Sequence, residues 1–243
     1  MSDPLYDEIV GECPVCKGKG ELNMGTCPCR HKLSAYSRLL EGGFSRPVLD
    51  FVTKPDFTPP MYVSGDPFVS YYFSNPQEVL KRGLSLYVYS QEKGRGKTSL
   101  AHLLVYHLAY VFGPRKGDYR RNQTYGFESV SDLILNFINK KDGYSKNTIY
   151  VLDDLGNEDS ASWKKEVLVA ALQQTFHFRR NRRLPTIITS NYAPGDLSRR
   201  YDGILDSLLE IRPDGTIGGN LFRQVELGGG EDLRLGGDSS WPM

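Results

Sequence analysis

No cysteine occurs beyond residue 29: all four in this 243-residue chain lie between Cys13 and Cys29. A disulfide framework spread along the chain is thereby excluded, and in a reducing compartment so tight a group reads as metal ligands. Charge of one sign is missing too. Lys and Arg number 30 against 29 Asp and Glu, and a formal net charge of +1 argues against a globally basic nucleic-acid binder while leaving local basic patches open. No stretch approaches the ~20 uninterrupted apolar residues of a membrane span. Met1-Ser2-Asp3-Pro4 lacks the basic-then-apolar order of a signal peptide, so a cytoplasmic protein with no membrane partner is expected. There is no internal repeat. The length allows one α/β domain plus a small accessory module, with a core large enough to be stable without disulfides.

What is present is a phosphate-binding loop. Leu84, Leu86, Tyr87, Val88 and Tyr89 form a β-branched and aromatic run, and from Ser99 to Val111 the residues Leu100, Leu103, Leu104 and Leu108 recur at helical spacing. Between strand and helix lies Ser90-Gln91-Glu92-Lys93-Gly94-Arg95-Gly96-Lys97-Thr98-Ser99. Gly94 and Gly96 let the backbone turn with N–H groups facing phosphate oxygens, with Arg95 and Ser99 beside them. Lys97 supplies charge to the β and γ phosphates, and Thr98 is placed to ligate Mg²⁺. The first glycine of the usual G-x-x-x-x-G-K-[ST] pattern is Gln91 here, a position that accepts other residues when its φ is not positive.

A second apolar run, Thr148-Ile149-Tyr150-Val151-Leu152-Asp153-Asp154, ends in two acids, the Walker B arrangement of an ATPase. Asp153 is the expected holder of Mg²⁺, with Asp154 orienting and deprotonating the attacking water. Glu is more usual at the second position; Asp is one methylene shorter. A third run, Pro185-Thr186-Ile187-Ile188-Thr189-Ser190-Asn191, ends in an Asn that reads as a sensor of the γ-phosphate or the water. Each feature alone has a plain explanation as a strand terminus or helix cap. All three in order at strand ends point to ATP chemistry.

Residues 1–45 form the first unit. Cys13-Pro14-Val15-Cys16 and Cys27-Pro28-Cys29, with Gly18, Gly20 and Gly25 between them, fit a tetrahedral Cys₄ zinc site, with His31 as a possible substitute ligand. A helix is expected over 31–41. Residues 46–70, rich in Pro, read as a linker, 71–227 as the ATPase domain and 228–243, with Gly228-Gly229-Gly230, as a flexible tail. From residue 71 strands and helices alternate, which demands a parallel sheet flanked by helices with its ligand at the strand C-termini. Two basic stretches, 115–121 and 179–183, are candidates for DNA phosphate contact, the second also explained by Arg at a helix C-terminus. His102 and His107 read as packing or surface residues.

The run Leu152-Asp153-Asp154-Leu155-Gly156-Asn157-Glu158, then Trp163, then Leu184 to Asn191, resembles the bacterial replicative helicase loaders of the DnaC/DnaI type, which are AAA+ proteins. The Cys cluster ahead of the ATPase core is similar to the amino-terminal helicase-binding module of many such loaders. The resemblance covers Cys13 to about Arg223. It implies an ATPase, slow and assembly-dependent, that grips a hexameric DnaB-type helicase through its amino-terminal module and assembles as a homo-oligomer around single-stranded DNA. Arg199 and Arg200 stand nearest the place of an arginine finger, since none occurs within 201–209, and Arg223 resembles a sensor II residue contacting nucleotide in cis. Two other readings stay open: an IstB-like AAA+ transposition regulator, which usually lacks the Cys₄ module, and a zinc-containing adaptor that binds nucleotide without turnover.

Overall fold

The computed structural model describes residues 4–22, 25–54, 66–112, 124–141, 146–157, 162–218 and 221–228. Strands β3 (Ser85–Tyr89), β4 (Tyr125–Ser129), β5 (Ile149–Leu155), β6 (Thr186–Ser190) and β7 (Phe222–Glu226) form one sheet in the order β4-β5-β6-β3-β7, every pairing parallel. Near-continuous apolar strands suit a sheet covered on both faces, and period-two alternation divides them between two cores. Leu86, Val88, Ile149, Val151, Ile187 and Val225 line one face; Tyr87, Tyr89, Tyr150, Leu152 and Ile188 line the other.

Helix α1 (Pro28–Glu41), α2 (Arg46–Val52), α3 (Pro67–Ser74), α4 (Pro76–Arg82) and α5 (Lys97–Val111) contribute to the first core. The second is filled by α6 (Val130–Ile138), α7 (Ser162–Asn181), α8 (Pro194–Arg200) and the short α9 (Asp206–Leu209). The fold class expected from the sequence, a parallel sheet flanked by helices, is the one observed.

Two differences have a common cause. The helix expected over 31–41 starts earlier, at Pro28, and the stretch expected to be a linker holds α2 at one end and α3 at the other. Pro28, Pro47 and Pro67 each sit in the first turn of a helix, where the missing N–H costs nothing and φ is already set. Proline there starts helices instead of marking a linker. The central part of that stretch, 55–65, and the tail from 229 onward lie outside the described residues.

Ahead of α1, a helical turn Pro4–Tyr6 runs into π-helical Asp7–Gly11, and the two-residue strands β1 (Glu21–Leu22) and β2 (Gly25–Thr26) pair antiparallel. Ala35, Tyr36 and Leu39 of α1 are buried in the same core as Leu104, Val105 and Leu108 of α5. The Phe127 N–H of β4 donates to Gly42 O at the end of α1, at 2.8 Å. Gly42 allows that approach: a Cβ there would stand 2.1 Å from Tyr125 O. Among the described residues no helix is long and apolar enough to cross a membrane.

Candidate functional site

The loop between β3 and α5 has the backbone its sequence demands. Gly94 and Gly96 take φ of 82° and 75°, values that side chains disfavour, whereas Gln91 is not among the positive-φ residues. Glycine is therefore dispensable at the first motif position. Lys97 opens α5 and is buried, its Nζ 3.4 Å from Ser90 O and 3.2 Å from Glu92 O, so the ammonium lies along the rim of the loop. The N–H groups of the first turn of α5 have no partner within the helix and face the loop. Arg95 pairs with Glu92, and Ser99 follows half-buried in that turn.

Asp153 lies across from this turn. The Thr98 hydroxyl donates toward its carboxylate at 3.0 and 3.1 Å, and Thr189 Oγ1 donates to Oδ1 at 2.6 Å. Burial lifts the Asp153 carboxyl to about 6, partly offset by the Thr189 bond. A buried carboxylate beside a hydroxyl at a P-loop is a donor set that fits a hard divalent cation, whose charge would remove that penalty.

β5 continues past the two acids to Leu155 and carries a bulge. Leu152 pairs with Ile188 and Leu155 with Ser190, three residues opposite two. The extra residue is Asp154, at φ 62°, a left-handed conformation that Asp tolerates better than most side chains. Its N–H donates to Thr189 Oγ1 at 2.9 Å. The bulge keeps Leu155 in the second core and leaves Asp154 half-buried beside Asp153.

Asn191 follows β6 and lines an open cavity of about 600 Å³ with Gln91, Tyr192, Asp196, Arg199 and Arg200. Arg199 pairs with Asp196 and its side chain is 77% exposed, while the Arg200 guanidinium stands 5.2 Å from the Tyr192 ring centroid. Lys97, Thr98, Asp153, Asp154, Asn191, Arg199 and Arg200 thus all belong to the end of the sheet where β3, β5 and β6 finish.

Arg223 is not brought there. It lies within β7, paired in register with Leu86, four residues before Ser90, and its guanidinium packs 5.7 Å from the Phe68 ring. At ~3.3 Å per residue the offset from the loop is about 13 Å. The sensor II expectation, a contact to nucleotide in cis, is corrected: Arg223 is held within the sheet, short of the loop.

The four cysteines converge. Their sulfurs lie within 4.8 Å of one another, with Cys13 to Cys27 at 3.8 Å and Cys16 to Cys29 at 3.5 Å. A tetrahedron with ~2.3 Å metal–sulfur bonds has edges of about 3.8 Å, so the group can hold one metal ion. Gly20 N–H donates to Cys16 Sγ at 3.2 Å; the Cys16 and Val15 N–H groups hold the Cys13 thiol down to about 7, whereas burial and the neighbouring sulfurs push Cys29 up, a penalty that a bound cation would remove. His31 is not a fifth member. Its ring lies 5.7 Å from the Tyr110 ring on α5, with Nδ1 3.4 Å from Tyr110 O.

Of the basic stretches, 115–121 lies outside the described residues. In 179–183, Arg179 is corrected from a DNA candidate to a core pin: it is 1% exposed and donates to Thr186 Oγ1 at 2.7 Å, Asn147 O at 2.7 Å and Pro185 O at 2.6 Å. Arg180 donates to Ser207 O at 2.8 Å. His107 packs on Phe73 and bonds its carbonyl. His102 is fully buried in α5, and burial pushes it down to about 4, so it is neutral. Both histidines pack, as the sequence reading has them, whereas sequence reasoning missed the part played by Thr189. The signal for Thr189 was a polar residue inside an otherwise apolar strand, which must find a buried partner.

Among solved structures, the DnaC helicase loader aligns over 76% of this chain and 100% of its own, at 19% identity and a TM-score of 0.50. In fold, the chain is similar to that loader. The parallel sheet flanked by helices that the sequence predicts is the architecture the two have in common. DnaI aligns over 79% of this chain and 94% of its own (20% identity, TM-score 0.47), and a primosome component from Streptococcus pyogenes serotype M3 over 68% and 82% (19% identity, TM-score 0.45). No protein-family model and no curated protein matches the sequence.

Proposed function

We propose that this chain is a cytoplasmic AAA+ ATPase that loads a hexameric DnaB-type helicase onto single-stranded DNA. The carrying observation is the pairing of Thr98 with Asp153 across the loop that Lys97 closes, at 3.0 and 3.1 Å. In this reading Lys97 and the N–H groups of α5 hold the β and γ phosphates of ATP, and Thr98 and Asp153 hold Mg²⁺. The cation supplies charge that stabilises the phosphoryl oxygens. Asp154 takes the proton of the water that attacks the γ-phosphorus, Asn191 orients that water, and the bond to the β-phosphate oxygen breaks to release ADP. Arg199 or Arg200 of a neighbouring copy stabilises the charge on the transferred group.

The cysteine cluster supports the same reading. Binding Zn²⁺ through Cys13, Cys16, Cys27 and Cys29 would fix a small unit of residues 1–45 as the surface that grips the helicase, the ATPase domain running from 71 to 227 beyond it. The fold shared with the DnaC helicase loader supports a helicase as the partner. The test is capture of the purified helicase by the full chain, with and without Mg·ATP, alongside hydrolysis measured with helicase and single-stranded DNA. ATP-dependent capture with slow, helicase-stimulated turnover is expected. Capture without any turnover would favour the adaptor reading, and no capture would overturn the loader.

A further inference from the structure

His102 lies one turn beyond Thr98 on α5 with 0% exposure, in a space an apolar side chain could fill. Phe44 packs edge-on to its ring at 5.2 Å and Phe127 lies at 4.8 Å. Both ring nitrogens are engaged. Ser45 N–H donates to Nε2 at 3.3 Å, so Nε2 carries no proton. The proton therefore sits on Nδ1, which faces Thr98 O at 2.8 Å, and a carbonyl can only accept. One stiff ring thus joins two backbones: the first turn of α5, and the Phe44–Ser45 junction between α1 and α2.

On the other side of Thr98 its hydroxyl meets Asp153, which meets Thr189, which holds the Asp154 N–H. Between Ser45 and Thr98 this run of hydrogen bonds passes through one side chain, His102, which belongs to neither the cysteine unit nor the proposed nucleotide site. Phe127, which flanks the ring, also bonds Gly42 O. The junction between α1 and α2 is therefore held from both β4 and α5, and the hydrogen bond to His102 is the one that continues to Thr98.

We infer that His102 is a positioning residue for Thr98 and that it passes any shift of the first turn of α5 to the Ser45 amide and so to the amino-terminal unit. This rests on the nucleotide site proposed above. A displacement of Thr98 O cannot be absorbed by the ring, which is wedged between two aromatics, so the Ser45 bond lengthens or shortens with it. By reciprocity, whatever pulls on the junction alters the hold on the cation.

The test uses the full chain, a non-hydrolysable ATP analogue, and hydrogen exchange of the peptide containing Ser45, with nucleotide affinity measured with and without Mg²⁺. In the wild type Mg·nucleotide should change Ser45 exchange about fivefold or more. His102→Asn keeps a donor within reach of Thr98 O and loses the reach to Ser45; it should retain the strengthening by Mg²⁺ while Ser45 no longer responds. His102→Phe fills the space and removes both nitrogens. It should bind metal-free nucleotide as the wild type does and lose about tenfold of the strengthening by Mg²⁺. A Ser45 response that survives in His102→Asn, or an unchanged Mg²⁺ effect in His102→Phe, overturns the inference. If His102→Phe fails to fold, the Ser45 response in His102→Asn decides alone. Wild-type protein that binds no nucleotide would overturn the site itself, and this inference with it; binding without any Ser45 response overturns the inference only.

Discussion

Thr189 donates its hydroxyl to Asp153 at 2.6 Å while accepting the Asp154 N–H at 2.9 Å. One hydroxyl on β6 thus fixes both acids of β5, the first by its side chain and the second by its backbone. Thr189→Val keeps the shape and removes both bonds, leaving a buried N–H unpaired. A stability loss of about 1–3 kcal/mol is expected in chemical denaturation, with Mg·ATP binding weakened more than ATP binding alone.

Lys97→Ala should abolish nucleotide binding, because the ammonium at the loop rim has no replacement. Asp154→Asn should retain binding and lose hydrolysis, and Asn accepts the left-handed backbone at φ 62°, so its stability should match the wild type. Hydrolysis by Asp154→Asn at the wild-type rate would remove Asp154 as the base.

The Asp153 carboxyl sets a pH dependence. Its folded pKa, about 6, is above its ordinary value of 3.8, so between those values the folded protein holds a proton that the unfolded chain has lost. Metal-free protein should therefore gain stability as pH falls from about 6 toward 3.8. Mg²⁺ competes with that proton, and Mg·nucleotide affinity should drop below about pH 6 while metal-free affinity changes little. Titration calorimetry across pH 5 to 8, on the order of the range that brackets such a group, would show it.

Elemental analysis of reduced protein should find one zinc per chain, and Cys16→Ser should lose it. Among the described residues the cluster around the cysteines buries Val10, Cys16 and Cys27, and Leu5 ties the segment to the main core, a small apolar set for the cysteine loops to fold on without the ion. Helix α1 should survive chelation because Ala35, Tyr36 and Leu39 belong to the main core. Exchange that rises in 4–27 but not in 33–41 is the expected pattern.

Arg199→Ala should weaken assembly-dependent hydrolysis more than Arg200→Ala, since Arg199 projects into solvent and Arg200 is held against Tyr192. ATP affinity of the isolated chain should be unchanged. Mixing Arg199→Ala with Lys97→Ala should restore activity where an intact arginine meets an intact loop; no recovery in a co-assembled mixture would place the finger elsewhere.

The strands and the P-loop were legible because each is a local pattern: an apolar run, a change to glycine, a helical period. Asp153 and Thr98 could be paired from motif order alone. The bulge at Asp154 could not, since it exists only in the register between β5 and β6. Nor could the bond between Ser45 and His102, 57 residues apart. Proline misled where it stood at helix starts, and Arg223 was misplaced because its role came from a resemblance and not from its own strand-like neighbours Phe222 and Val225.

The bond from Phe127 N–H to Gly42 O has a further consequence for solubility. Among the described residues β4 is an edge strand, and an edge with open N–H and C=O groups invites pairing with another chain. The end of α1 occupies part of that edge, and α1 itself covers Leu104, Val105 and Leu108. A chain begun at residue 46 would keep every motif of the ATPase and yet bare both a sticky strand and an apolar helix face, so it should aggregate where the full chain stays dispersed.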